Sequence, residues 1–457
     1  MSSKKYEMDM CSGALFPKIV AFTFPLIASS VLQLMFNAAD MVVVGRFVGS
    51  RALAAVGSTT ALTHFIINLF VGLSVGAGVV TANYFGAGAD KEISETVHTS
   101  MMLCIAGGII LMIIGLLVSR PALVFMATPD DVIDQSVLYI RIYFLGIPGL
   151  LAYNFGSAIL RAIGDTRRPM YFLFAAGVIN ALCNLFFVLV LGRGVDGVAI
   201  ATGISQYLSA FLVILSLVKT DRAYKLVFSK LRFYRKQTVR ILQIGIPAGF
   251  QGMVFSLSNM LIQSSVNSFG SIAMAGNTAA QNIEGFVYAS MNAVYQTAMN
   301  FVSQNFGAHK FDRIKRIHVE TLALVTGIGL LLGWTSFGFS KYILLLYTTD
   351  SKVVAIAQLR LSIILTTYFL CGVMDVMAGI LRGLGYSVLP MVVSILGACA
   401  FRVVWILTVF ACVRRTLPVL YVSYPASWVL TFAVHSVCYF MVMKKIRKQL
   451  ETKDLIQ

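Results

Sequence analysis

The chain has 457 residues, 58% of them hydrophobic and 12% charged, with a mean hydropathy of +0.83. Such proportions exclude an ordinary soluble domain and point to a chain that lives in a membrane. The formal net charge of +17 would suit nucleic acid, but the basic residues sit between apolar stretches, so no nucleic-acid partner is expected.

About twelve apolar stretches follow one another with short polar breaks, each near the roughly 20 residues that a spanning helix requires. They cover 15–46, 52–82, 94–118, 131–158, 168–191, 196–218, 240–266, 272–303, 316–338, 352–380, 388–411 and 418–443. An all-α polytopic membrane protein is predicted, with several helices long enough to tilt or project. Met1–Met10 is polar and the first apolar run is too long for a cleavable signal peptide. With the N-terminus inside, most of the 36 Lys and Arg fall in inner segments, which places both termini in the cytoplasm.

In the first stretch, Gln33, Asn37 and Asp40 are spaced i, i+4, i+7 and share one helical face. A carboxylate at that depth costs several kcal/mol unless it faces protein or water, so Asp40 reads as functional. Pro25 removes one backbone hydrogen bond and lets the helix bend. Counting from helix ends puts Asp40, Asn180, Asn184 and Thr202 at a common depth of roughly 9–18 Å below the outer surface. A carboxylate, two amides and a hydroxyl converging there could hold a proton or a small hard cation such as Na⁺.

Residues 219–240 carry eight basic residues to one acid and read as a solvated cytoplasmic link on anionic headgroups. Beyond it the chain repeats itself. FPLIASSVLQLMFN from Phe24 lines up with IPAGFQGMVFSLSN from Ile246, YFGA at 84–87 with NFGA at 305–308, and ILRAIGDTRRPM at 159–170 with ILRGLGYSVLPM at 380–391. Every match has an offset of 221 or 222 residues. Six helices per repeat is an even number, so both halves enter the membrane alike, related by a pseudo-twofold along its normal. The expected division is 1–218 (first six-helix lobe), 219–240 (linker), 241–443 (second lobe) and 444–457 (basic tail).

In the second half, Asn277, Gln281, Glu284, Tyr288, Asn292 and Tyr295 form a polar and aromatic stripe along the eighth stretch. The equivalent face of the second stretch is far less polar, so the stripe is expected to face water or substrate, with Gln33, Asn37, Gln281, Tyr288, Asn292 and Tyr295 lining a cavity. Asp375 and Arg402 complete a second set of charges, and Arg402 is expected to neutralise either Glu284 or Asp375. Arg161 and Arg382 recur at equivalent inner turns and are expected to fix those turns. His64 and His435 read as satisfied interior histidines. Met35, Met253, Met291 and Met299 read as ordinary packing. The seven cysteines have no CxxC pair, so neither a disulfide framework nor a zinc site is expected. No GxxxxGK[ST] or HExxH motif is present, and the single GxSxG, Gly72–Gly76, lies inside the apolar stretch 52–82 and not at a strand-to-helix turn, so no cofactor and no enzymatic activity are expected.

The PLIxxxxLQxxxNxxD pattern of the first stretch, the ILRAIGDTRRP loop with its echo, and GVDGVAIATGISQ at the sixth stretch resemble the multidrug and toxic compound extrusion (MATE) family, part of the multidrug/oligosaccharidyl-lipid/polysaccharide exporter superfamily. The resemblance covers residues 15–443. It implies two pseudo-symmetric six-helix lobes around a V-shaped central cavity, acting as a monomeric antiporter in a bacterial plasma membrane. The partners implied are small organic, cationic amphipathic compounds, H⁺ or Na⁺, and the lipid bilayer. Asp40, Asn180 and Thr202 match the family's first-lobe cation site, whereas Asn184 stands where the family typically has Asp. The missing anion favours a proton over Na⁺. The family also implies that protonation of Asp40 bends the first helix at Pro25. A glutamate used by one branch of the family is replaced here by Phe255. The alternative is a lipid-linked oligosaccharide flippase of the same superfamily, which would want a cationic cavity.

Overall fold

The computed structural model describes residues 6–126 and 128–454, and within them the side chain of His64 lies outside the described set. Among the described residues there is no strand. The helices are α1 (Leu15–Val43), α2 (Ser50–Gly86), α3 (Asp90–Phe125), α4 (Asp130–Ala162), α5 (Arg167–Leu185), α6 (Val195–Val218), α7 (Arg235–Asn267), α8 (Ser271–Gly307), α9 (Phe311–Gly338), α10 (Ser340–Leu345), α11 (Ser351–Thr367), α12 (Phe369–Gly383), α13 (Val388–Ser394), α14 (Phe401–Trp405) and α15 (Leu417–Asp454). Among the described residues ten are long and apolar enough to cross a membrane, or eleven when α11 and α12, bent by 47° at Tyr368, count as one span. The number falls short of the expected twelve because α8 carries its polar stripe along most of its length, which lowers its hydropathy below that of its neighbours.

The apolar sequence forms helices because a bilayer offers no hydrogen-bond partners, so every backbone N–H and C=O must be satisfied within its own segment. Prolines interrupt this at Pro25 in α1, Pro121 in α3, Pro148 in α4, Pro247 in α7 and Pro425 in α15, without ending the helix. One turn on, Ser29 donates its hydroxyl to the Pro25 carbonyl at 2.8 Å. Four stretches are wound more widely as π turns: Val44–Val48 after α1, Phe186–Val190 after α5, Ile395–Ala400 after α13 and Ile406–Val413 after α14. Exposed apolar side chains such as Phe24, Leu117, Leu331 and Met441 cover the outside. In water such surface would aggregate; against lipid tails it costs nothing.

The chain forms two compact units, one of Met1–Met253 with Ser303–Phe311 and one of Val254–Val302 with Asp312–Gln457. In the first, α4 packs against α2, α3 and α6, while α1 packs against α5. In the second, α15 packs along α11 and α12. The final turn of α8 belongs with the first unit because it crosses the end of α2 at backbone contact. A Cβ on Gly86 would overlap the Gln304 carbonyl, and a Cβ on Gly307 would overlap the Asn83 carbonyl. Residues 83 and 86 stand 221 positions before 304 and 307, so the repeated FGA motif meets its own copy reciprocally.

The segment after α6 is more firmly held than a solvated link. Tyr224 and Leu226 are buried. His98 on α3 accepts the Val227 N–H through Nε2 at 3.0 Å, and Glu95 accepts from Gln237 at 2.8 Å. A buried histidine with its other nitrogen on the Ser94 carbonyl (2.6 Å) was not among the residues that the sequence singled out.

Candidate coupling site and charge network

Asp40 lies on α1 one turn before the π segment that begins at Val44, and Asn184 lies on α5 just before the π segment that begins at Phe186. α1 and α5 pack side by side, which brings the two residues together. Asn184 donates its amide N–H to the Asp40 carboxylate and also reaches the Asn180 oxygen at 3.3 Å, one turn away on α5. Asn180 and Asn184 are buried, while Asp40 is half-buried. The amide oxygen of Asn184 is buried without a hydrogen-bond partner among the described residues. No Lys or Arg forms an ion pair with Asp40 among them either. The Thr202 hydroxyl donates to the Val198 carbonyl of its own helix at 3.0 Å. A threonine inside a helix can satisfy its hydroxyl proton one turn back and keep its lone pairs free.

In the second unit the pairing differs from the sequence expectation. Glu284 on α8 is held by Arg360 of α11, with Nε to Oε1 and Nη2 to Oε2 both at 2.7 Å. Arg360 also donates to Asn277 at 2.8 Å, and its guanidinium lies 5.2 Å from the Tyr421 ring and 5.4 Å from that of Tyr424. Arg402, expected to neutralise Glu284 or Asp375, is not the partner of Glu284: it donates to Ser427 at 2.9 Å, stacks 4.4 Å from the Tyr424 ring and lies near Asp375. The correction has a geometric cause. Only a guanidinium directly across from Glu284 can form the parallel two-bond pair, and α11 supplies it. The signal was available: Arg360 stands within the apolar stretch 352–380, where a cation demands a partner.

Asp375 on α12 is half-buried, with the Tyr288 hydroxyl as its hydrogen-bond partner and Arg382 and Arg402 as the nearby cations. Of the stripe, Gln281 and Tyr288 are exposed, Asn292 and Tyr295 are half-buried, and Asn277 is buried. Asn292 accepts from Gln296 at 3.2 Å, and Tyr295 accepts from Arg382 at 2.6 Å. In the first unit, Gln33 and Asn37 are exposed and Pro25 is buried. His435 is fully buried and bonds to Ser394 at 3.1 Å. Met291 and Met299 are buried in the packing, while Met35 is exposed.

The MatE family model matches the chain twice, at residues 25–186 and 247–408. This chain belongs to the MatE family. The two matches are offset by 222 residues, the register of the internal repeat. A relative from Bacillus subtilis (strain 168), the probable multidrug resistance protein YoeA, is 30% identical over 435 residues, covering 93% of each chain. The multidrug export protein MepA of Staphylococcus aureus (strain MSSA476) is 21% identical, over 86% of this chain and 87% of its own. Among solved structures, a MOP superfamily transporter from Pyrococcus furiosus has the same fold, with a TM-score of 0.91 at 19% identity and coverage of 98% and 99%. The protein is therefore a multi-pass, all-helical membrane transporter of the MatE family.

Proposed function

We propose that the protein is a secondary active multidrug antiporter of the plasma membrane that exports organic cations in exchange for protons. The relatives named for multidrug resistance and export support the efflux part of this reading. The observation that carries the coupling is the contrast between two acids within apolar helices, Glu284 buried and Asp40 half-buried. Glu284 is clamped by a guanidinium, whereas Asp40 is met by an amide and by no cation among the described residues. A carboxylate in oil-like surroundings cannot cheaply be both ionised and unpaired, so Asp40 holds either a proton or a cation.

Asn184 suits the proton. An amide donates to a carboxylate through its nitrogen and, turned by half a rotation, accepts from a carboxylic acid through its oxygen. One side chain thus serves both protonation states without adding a charge of its own. Each charge moved down 100 mV contributes about 2.3 kcal/mol, sufficient for tens-fold accumulation of substrate. In this scheme the halves 1–218 and 241–443, joined by 219–240, are the moving lobes, both termini and the tail 444–457 are cytoplasmic, and the monomer is the working unit. In the first unit exposed Gln33 and Asn37 offer polar contacts to a substrate, and in the second exposed Gln281 and Tyr288 offer polar and aromatic ones suited to a flat cation.

Reconstitution tests this directly. Ethidium export from proteoliposomes is expected under a pH gradient alone, to be lost in Asp40→Asn, and to be absent under a Na⁺ gradient alone. Full-rate uphill export by Asp40→Asn, or export driven only by Na⁺, would overturn the proton assignment.

A further inference from the structure

Ahead of α1, the segment Tyr6–Ser12 is anchored at more points than a chain terminus requires. The Arg168 guanidinium lies 5.5 Å from the Tyr6 ring. Glu7 accepts from the Tyr224 hydroxyl at 2.9 Å and pairs with Arg222 at 3.3 Å. The Met8 backbone runs across Gly164, whose φ of +96° and lack of Cβ admit it; a side chain there would collide with Met8. Met10 is fully buried. Its carbonyl accepts from Asn305 at 3.1 Å, and the Cys11 carbonyl accepts from Lys310 at 2.8 Å. One short strap therefore fastens three distant parts of the chain: the α4–α5 turn, the segment after α6, and the end of α8.

We propose that Tyr6–Ser12 is a cytoplasmic latch that holds the end of α8 during one half of the transport cycle and releases it in the other. The inference rests on the antiport reading above, since a protein that never changed state would need no latch. Two observations distinguish a latch from a permanent plug. The Lys310 bond to the Cys11 carbonyl and the Glu7–Arg222 pair lie near the surface, so water can replace each one at little net cost, and only the Asn305 bond to the Met10 carbonyl is buried. A cleft of about 300 Å³ lies beside the strap, lined by Tyr6–Asp9 together with Lys18, Gly164 and Arg167, so the segment has room to lift. The load on it is mechanical. α8 is one continuous helix, yet Ser303–Gly307 belong to the first unit and Ser271–Val302 to the second. Any displacement of the second unit pulls on Asn305 and Lys310, the residues that the strap grips.

The native Cys11 and an introduced Lys310→Cys can be joined by a short bis-methanethiosulfonate linker in the reconstituted protein. Export is expected to fall by about tenfold or more when the linker is in place and to recover on reduction, because closure and release of such segments gate turnover. Cross-linked protein that pumps as fast as the reduced sample would overturn the latch. A second readout needs no transport. In a Cys11→Ser background, labelling of Met10→Cys by a polar maleimide from the cytoplasmic side should accelerate about fivefold or more when Glu7→Ala unfastens the strap, as local opening governs such access. Equal labelling with and without Glu7 would mean a static plug and would also overturn the proposal. Absence of transport by the reduced protein would count against the antiport reading, while the labelling would still decide the latch.

Discussion

Arg360 and Glu284 meet through two parallel hydrogen bonds of 2.7 Å, both side chains almost completely withdrawn from solvent. Removing one partner of such a pair strands a charge and costs about 3–5 kcal/mol, whereas replacing both by apolar groups is often neutral or stabilising. Arg360→Met should therefore lower the thermal midpoint in detergent sharply, and Glu284→Leu added to it should restore most of the loss. A double variant no more stable than Arg360→Met would show that the two residues are not coupled.

The amide at position 184 is expected to set the ion. Asn184→Asp places a second anion beside Asp40, which raises the affinity for a hard cation that needs charge compensation on dehydration. Export by this variant should acquire a dependence on a Na⁺ gradient while its pH-gradient dependence weakens. A variant with the driving-ion profile of the parent would mean that position 184 does not select the ion.

The reciprocal contact of α2 with α8 predicts unequal effects of alanine on a single helix. Gly307→Ala pushes a methyl group into the Asn83 carbonyl and should destabilise by about 1–3 kcal/mol, the usual range for overpacking. Gly285, on the same helix, has open space where a Cβ would stand. Gly285→Ala should be neutral or stabilising by about 0.5–1 kcal/mol, from helix propensity alone. Thermal unfolding of the two variants side by side checks the ordering.

Acid should not free the strap within the physiological range. Burial acts to raise the pKa of Asp9, but the Ser12 hydroxyl, the Cys11 N–H and the charges of Lys18 and Lys310 outweigh it and hold the carboxyl below its usual value. A group with a depressed pKa in the folded state stabilises that state above its unfolded pKa and loses the contribution as pH falls through the folded one. Labelling of Met10→Cys by a pyridyl disulfide, taken relative to a free thiol at the same pH, should thus stay flat from neutral pH downward and rise only below about pH 4, the ordinary carboxylate value. A rise near pH 6 would assign the release to another group.

Much of this was legible from residue order. The apolar stretches marked the helices, because in lipid the backbone has no other way to satisfy itself. The repeat at 221 or 222 residues, with FGA at 85–87 and 306–308, is a property of the chain as written, and the paired family matches fall in the same register. Helix depth alone put Asp40 level with Asn184, since rise per residue is fixed.

Which neighbour a side chain chooses is another matter, because it depends on helix rotation and on contacts hundreds of positions away. Thr202 turned to its own backbone, Glu284 took Arg360 in place of Arg402, and His98 came to hold the segment after α6. The polar residues Met1–Met10 gave no hint that Met10 would be buried against the end of α8. Periodicity along one chain records which face is apolar and how deep a group lies. Pairing across helices is settled only when the close approach of backbones, as at Gly86 and Gly307, fixes which faces meet.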